Sequence, residues 1–147
     1  MKIIKATIEN LDQLIPLFEG YRKFYNQLPN PEVAYKFLSE RFKKNDSILF
    51  MAFNKNKNAI GFTQLYPTFS SVTMQQTYIL NDLYVVPNMR GNKVGENLLN
   101  HAKQFTIKNN CKGLTLETDI DNPAQKLYER LGWEEDTNVL HYTWINK

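Results

Sequence analysis

The chain has little of what metal sites and disulfides require. Among its 147 residues are one cysteine, Cys111, and two histidines. One cysteine excludes an internal disulfide, and no Cys/His cluster has metal-ligand spacing, so we expect a protein of a reducing compartment that binds no metal. Long apolar runs are also missing, and residues 1–7 lack the apolar core of a signal peptide. We therefore expect a cytoplasmic protein without a membrane partner.

Glycine is scarce as well, with six residues, and two familiar nucleotide-binding motifs are absent. There is no G-x-x-x-x-G-K-S/T sequence and no G-x-G-x-x-G sequence followed by an acidic residue, which excludes a P-loop and a Rossmann fingerprint. The net charge of +3 arises from lysines spread among aspartates and glutamates rather than from a basic stripe. This pattern predicts a solvated surface and no nucleic-acid partner.

The remaining composition, with 42% hydrophobic residues, predicts one globular domain over residues 1–147. Apolar periodicity, caps and turn residues predict seven strands and four helices. The first half of the chain is predicted to form strand Lys2–Ile8, a helix capped by Asn10 or Asp12 and ended by Pro29 and Pro31, helix Glu32–Lys44, and strands Ser47–Phe53 and Ile60–Tyr66. The second half is predicted to form strand Gln76–Val86, helix Val94–Asn109, strand Leu114–Thr118, a short helix after Asn122, and two strands within Trp133–Ile145. The order predicts an α+β fold with one mixed, mostly antiparallel sheet.

The most informative stretch, residues 80–99, reads as strand, turn and helix. Two glycines four positions apart, Gly91 and Gly95, follow Arg90 at the turn. Glycines let the backbone approach a bulky anion, and a helix start adds unpaired N–H groups and partial positive charge. The stretch is therefore suited to a phosphate or pyrophosphate. The alternative is that Gly91 only shapes the turn and that Gly95 is incidental.

A second informative stretch covers residues 119–133. Asn122 is a good N-cap, Pro123 suits the first helical position, and Gly132 ends a short helix. This structural interpretation does not exclude a function for the same residues.

Both stretches resemble motifs of the GNAT family of N-acetyltransferases. Residues 86–95 resemble its acetyl-CoA pyrophosphate loop, (Q/R)-x-x-G-x-(G/A), in which Arg90 and Gly95 match the ends and Lys93 stands where a glycine is usual. Residues 122–133 resemble the motif N-x-x-(A/S)-x-x-x-Y-x-x-x-G-(F/W), with Asn122 and Tyr128 six positions apart, one fewer than in that spelling. The element order also matches the family's fold.

The resemblance implies acetyl-CoA as cosubstrate and a set of residues that bind it. In the family, the asparagine of the second motif contacts the pantetheine arm and the tyrosine lies near the thioester sulfur. The implied cosubstrate-binding residues are Leu83, Tyr84, Val85, Arg90, Gly91, Asn92, Lys93, Val94, Gly95, Glu96, Asn122, Ala124 and Tyr128. Backbone N–H groups of residues 83–85 are candidates to bind the oxyanion, and Tyr128 is either the acid that protonates the departing thiolate or a core aromatic.

The implied reaction also needs a group that removes a proton from the amine. Polyamine-acetylating relatives carry a glutamate where this chain has Asn81, which leaves Asp82, Glu117 or water as the base. Asp82 is alternatively an anchor for a cationic substrate or part of a structural ion pair. Tyr25 and neighbouring aromatic residues either line an acceptor pocket or belong to the core.

Three shorter phrases, residues 66–71, 79–83 and 141–144, resemble a narrower branch that includes the yeast Hpa-type acetyltransferases of histones, polyamines or amino acids. The resemblance predicts direct transfer of an acetyl group to a primary amine of a small metabolite, polyamine or amino acid. The alternatives are an acetyltransferase of protein or peptide amines and a non-catalytic acyl-CoA-binding module. The family resemblance also suggests a homodimer.

Overall fold

The computed structural model describes all 147 residues, which divide into two compact units, residues 1–117 and 118–147. The first unit has an α+β architecture, and the second contains one short helix. The strands are β1 (Lys2–Lys5), β2 (Ile48–Phe53), β3 (Ala59–Ser70), β4 (Gln75–Val85) and β5 (Leu114–Thr115), and the helices are α1 (Leu11–Phe24), α2 (Pro31–Lys44), α3 (Val94–Lys108) and α4 (Gln125–Arg130). Single 3-10 turns, Ile8–Asn10 and Pro87–Met89, lie before α1 and α3.

The five strands form one sheet in the order β1-β2-β3-β4-β5. The first four pair antiparallel, whereas β4 and β5 are parallel. Parallel strands need a crossover connection, and α3 supplies it. The connection that leads into α3 therefore begins at the carboxyl end of β4.

Helices cover both faces of the sheet. Successive side chains of β2 point to opposite faces. Leu49 and Met51 belong to the buried cluster that α1 and α2 build, whereas the ring of Phe50 lies 5.5 Å from that of Phe105 in α3. Helices α1 and α2 thus pack on one face and α3 on the other.

Local signals explain why α2 begins and ends where it does. Asn30 accepts a hydrogen bond from the Val33 amide (3.3 Å), and Pro31 occupies the first turn, where its missing N–H costs nothing. Asn45 ends the helix in the left-handed conformation. The prediction of this helix, and of four helices altogether, is confirmed.

The predicted strand count is wrong, because the sheet has five strands and not about seven. The two strands expected within residues 133–145 are absent, and Leu140, Tyr142 and Trp144 are exposed at 80%, 88% and 83%. Alternating apolar residues indicate a strand, but a ladder also requires a partner edge, which local sequence does not specify.

Three strand boundaries were also predicted wrongly. Strand β1 ends at Lys5 instead of Ile8, and β5 ends at Thr115 instead of Thr118. Strand β3 continues past Tyr66, its predicted end, through Pro67 to Ser70. Pro67 pairs with Tyr78 of β4, so a proline is tolerated here inside a paired strand.

Two further properties bear on function. None of the helices combines the length and apolar character that a bilayer span requires. No three His, Cys, Asp or Glu side chains are grouped so that they could hold a metal ion.

Candidate active site

Strand β4 carries a bulge at Asn81. Gln64 of β3 pairs with Asp82 and the next residue, Leu65, pairs with Leu80, so Asn81 has no opposite residue. Bulges bend a strand and re-aim the side chains beside them. The Asn81 carbonyl accepts a hydrogen bond from the Tyr21 hydroxyl of α1 (3.2 Å). The bulge thus connects α1 to the middle of β4.

Asp82 lies next to the bulge and is only 2% exposed. Its Oδ2 accepts a hydrogen bond from Gln64 Nε2 and its Oδ1 accepts one from Asn81 Nδ2, both 2.7 Å long. Burial raises the pKa of Asp82 above its ordinary value, and the two hydrogen bonds oppose that rise. No ion pair of the protein includes Asp82, so the alternative of a structural ion pair is wrong.

Gln64 and Tyr66 of β3, which the sequence analysis did not identify as site residues, complete a polar cluster. We define this polar cluster as Gln64, Tyr66, Asn81 and Asp82. Gln64 is fully buried, and its Oε1 has no hydrogen-bond partner. Burial raises the pKa of the Tyr66 hydroxyl well above its ordinary value, and the charge of Asp82 adds to the rise. A glutamine inside a strand of mostly apolar residues was the available signal, because a buried amide costs free energy unless it has partners.

Strands β4 and β5 separate early. They pair only at Tyr78 with Leu114 and at Ile79 with Thr115. Beyond this point, the edge of β4 that faces away from β3 has no strand beside it. We call this part of β4, up to Val85, the open edge.

The predicted oxyanion donors differ in their direction. Main-chain groups along a strand point alternately to its two edges. The Val86 amide donates to the Ile60 carbonyl of β3 (3.0 Å), so the main-chain groups of Tyr84 also face β3. Those of Leu83 and Val85 therefore face the open edge. Leu83 and Val85 stay candidate oxyanion donors, whereas the Tyr84 amide is directed into the sheet.

The connection from β4 to α3, residues 86–93, presents a row of amides. The Asn92 side chain donates to the carbonyls of Met89 and Arg90 (3.2 and 3.3 Å) and closes the turn on itself. The amides of residues 91–95 have no protein acceptor, as expected for residues at a helix start. These donors and the positive end of the helix dipole suit a pyrophosphate. We call residues 86–96 the donor loop.

The backbone of the donor loop explains the unusual Lys93. Gly91 has φ +79° and Lys93 has φ +62°, both in the left-handed region. Lys93 thus adopts the conformation that the glycine usual at this place adopts easily, at a cost of about 1–2 kcal/mol for a residue with a side chain. Its carbonyl accepts the first helical bond of α3, from the Asn97 amide (3.0 Å).

The first turn of α3 contains the last predicted residues of the donor loop, Val94, Gly95 and Glu96. The Val94 side chain is buried and anchors the helix start on the sheet, and Glu96 is the acidic residue of the first turn. Their roles in cosubstrate binding stay predictions.

The second stretch, in residues 118–147, differs from the prediction in detail. Helix α4 begins at Gln125 with Ala124 as N-cap, two residues later than expected. Asn122 Oδ1 accepts a hydrogen bond from the Ala124 amide (2.9 Å), which forms a local turn. The Tyr128 ring lies 6.0 Å from the Trp133 ring. The cosubstrate roles of Asn122, Ala124 and Tyr128 stay predictions.

Two predicted acceptor-binding residues lie in different settings. Tyr25 follows the end of α1 and is 38% exposed, with its ring 5.1 Å from that of Tyr21. Glu117 is exposed and lies two residues past β5, not on it as expected. Tyr25 therefore belongs to the aromatic group beside the β4 bulge, whereas Glu117 lies outside the paired sheet.

Comparison with protein families gives one match over most of the chain. Residues 12–133 match the profile described as the acetyltransferase (GNAT) family. The match includes the polar cluster, the donor loop and the second stretch through Trp133.

Individual relatives agree with this match. The chain is 46% identical over 143 residues to the uncharacterized N-acetyltransferase YhfO of Bacillus subtilis, over 97% of this chain and 95% of that protein. It is 39% identical over 141 residues to a probable acetyltransferase of Haemophilus influenzae, over 88% and 97%. A crystal structure of a probable acetyltransferase superimposes with a TM-score of 0.94 at 40% identity and covers 100% of this chain and 99% of that one.

Proposed function

The chain belongs to the acetyltransferase (GNAT) family, and from that premise we propose that it transfers the acetyl group of acetyl-CoA directly to a primary amine. The acceptor is proposed to be a small metabolite, polyamine or amino acid. The observation that carries the proposal is the row of amides at residues 91–95, which have no protein acceptor and lie at the start of α3. These amides would bind the pyrophosphate, and the open edge of β4 would leave room for the thioester arm.

Amides at the open edge are proposed to stabilise the oxyanion that forms during the reaction. The amine nitrogen attacks the thioester carbonyl carbon, so that a C–N bond forms and the carbonyl oxygen becomes an oxyanion. The amides of Leu83 and Val85 face the open edge and are the proposed oxyanion donors. Collapse of the intermediate breaks the C–S bond and releases CoA as a thiolate.

Starting from an ammonium ion, the nitrogen must lose two protons, one before and one after it attacks, and the departing thiolate gains one. An aliphatic amine with a pKa of about 10.4 is neutral at pH 7 in about one molecule in a thousand, so a base must take its proton. We assign this role to Asp82, whose oxygens are fixed by Gln64 and Asn81 and whose raised pKa makes it a stronger base than an exposed aspartate. Tyr128, at the family's tyrosine position, is the proposed acid for the thiolate.

The polar cluster favours a cationic acceptor. Asp82 is its one carboxylate, no cation neutralises it, and the unpaired Gln64 Oε1 adds a buried acceptor. The aromatic group of Tyr21 and Tyr25 lies beside the same bulge through the Tyr21 hydroxyl. An ammonium group would gain from the carboxylate and from the aromatic faces.

The test combines binding and turnover. Calorimetry should show that the protein binds CoA, and a screen of small amines and N-terminal peptides should release free CoA thiol from acetyl-CoA with a small amine. A protein that binds no CoA would contradict the proposal. Binding without turnover would favour the acyl-CoA-binding module, and turnover with peptides alone would favour protein amines.

A single change tests the donor loop. Gly95→Val puts a branched side chain beside the proposed pyrophosphate site, and we expect CoA affinity to fall at least about tenfold. Asn100→Val is the matched control, because it adds the same side chain at an exposed position of α3. Equal CoA affinity of folded Gly95→Val and wild-type protein would remove the donor loop from the site.

A further inference from the structure

The Arg90 side chain turns back toward β4. Its Nε donates a hydrogen bond to the Val85 carbonyl (3.0 Å). This carbonyl faces the open edge, where β5 offers no amide. The guanidinium thus supplies the donor that a neighbouring strand would otherwise supply.

Two aromatic rings flank the same guanidinium. Its central carbon lies 5.8 Å from the centroid of the Tyr84 ring and 6.0 Å from that of the Phe24 ring. Both distances fall at the outer limit of about 6 Å for cation–π attraction. Phe24, the last residue of α1, is 53% exposed, so burial does not explain its position.

A glycine of α1 makes this arrangement possible. An ideal Cβ at Gly20 would lie 2.4 Å from the Tyr84 hydroxyl oxygen, closer than real contacts allow. Gly20 and Phe24 are four positions apart and therefore share one face of α1. Glycine inside a helix costs about 0.5–1 kcal/mol relative to alanine, and here it gives the Tyr84 ring room beneath Arg90.

We infer that Gly20, Phe24 and Tyr84 are positioning residues that hold the Arg90 side chain and thereby fix the donor loop in its binding conformation. This inference rests on the proposed function of the donor loop. The same turn of α1 carries Tyr21, whose hydroxyl bonds the bulge beside Asp82. One turn of α1 therefore sets the geometry of both the acceptor side and the cosubstrate side.

A double-mutant cycle on CoA affinity tests the inference. Loosening the Arg90 side chain lowers the fraction of donor loops in the binding conformation, so Phe24→Leu should weaken CoA binding about threefold. If Phe24 acts through Arg90, the same change should have no effect in an Arg90→Ala background. An equal loss in both backgrounds would overturn the inference.

A matched control and a second readout complete the test. Phe69→Leu makes the same change at an exposed phenylalanine of β3, 74% exposed, and should leave CoA affinity unchanged. In the CoA-free protein, the NMR signal of the Arg90 Nε–H should shift and exchange faster with water in Phe24→Leu. An unaltered signal would overturn the inference. Failure of the wild-type protein to bind CoA would instead contradict the proposed function, and the NMR signal would still decide on the contact.

Discussion

The two stretches that carry the family resemblance use their polar groups in opposite ways. In the donor loop, the amides of residues 91–95 have no protein acceptor. In the second stretch, the Asn122 carboxamide and the Ala124 amide bond each other, and the Trp133 amide donates to the Tyr128 carbonyl. The donor loop presents hydrogen-bond donors outward, whereas much of the second stretch satisfies its own groups.

Because the two stretches differ in this way, the functional assignment of the donor loop and that of Tyr128 rest on different kinds of support. The donor loop can be interpreted as an anion site from its own geometry, because donors without acceptors and a helix start converge there. The role of Tyr128 depends on the family's motif alone. Experiments on Tyr128, Asp82 and Lys93 can therefore show whether the two stretches serve one reaction.

The largest effect on turnover is expected for Tyr128→Phe. A large loss of turnover in this variant would show that the second stretch, like the donor loop, takes part in the reaction. The change removes one oxygen and keeps the ring beside Trp133. Loss of a positioned acid lowers turnover by about 10² to 10⁴-fold, or about 3–5 kcal/mol of barrier. The measurement is kcat at saturating acetyl-CoA with the best amine found.

The melting temperature of Tyr128→Phe and its CoA affinity are the controls, and both should change little. A core tyrosine would behave differently, with kcat nearly unchanged and stability lowered if its hydroxyl is bonded. A fall in kcat of less than about threefold would leave the acid assignment without support.

A smaller effect is expected for Asp82→Asn. The variant keeps the shape of the side chain and removes its charge, so kcat/KM for a cationic amine should fall about ten- to a hundredfold while CoA affinity persists. Stability should not suffer, because Gln64 can turn its amide so that its unpaired Oε1 accepts from the introduced amide. Wild-type kcat/KM in Asp82→Asn would remove Asp82 from the site.

The raised pKa of Asp82 predicts that the difference in stability between Asp82→Asn and wild type depends on pH. Between its ordinary value of 3.8 and the raised folded value, the folded protein binds more protons than the unfolded chain, so rising pH lowers the contribution of Asp82 to the free energy of unfolding. Asp82→Asn should therefore be more stable than wild type at pH 7, and the advantage should shrink as pH is lowered toward 3.8. Urea unfolding at several pH values measures it. An advantage independent of pH would contradict the raised pKa.

The sequence predicted those features whose causes are local. Helix α2 was predicted from its apolar periodicity and the prolines before it and ends at Lys44 as expected, and α3 begins at Val94 as expected. The strands expected within residues 133–145 failed because their partners are distant in sequence. The position of Asp82 on β4 was predicted, but its pairing with Gln64 depends on the bulge at Asn81, and no local pattern reveals a register shift.

The smallest changes in stability and CoA affinity are expected when either of two lysines with the same backbone conformation is replaced. Lys57, between β2 and β3, and Lys93, in the donor loop, both have φ +62°. Replacing either with glycine relieves left-handed strain of about 1–2 kcal/mol, but the extra freedom of glycine in the unfolded chain costs about 0.5–1 kcal/mol. The free energy of unfolding of each variant should therefore rise by between about 0 and 1.5 kcal/mol. Only Lys93→Gly also removes a positive charge beside the amides of residues 91–95. Its CoA affinity should therefore fall about threefold at low salt and approach that of Lys57→Gly at high salt, because added ions screen an exposed charge.

Urea unfolding of both variants measures their stability, and calorimetry measures their CoA affinity. Equal CoA affinities at low salt would show that the Lys93 ammonium does not contact the pyrophosphate, and the donor loop would then bind it through its backbone alone.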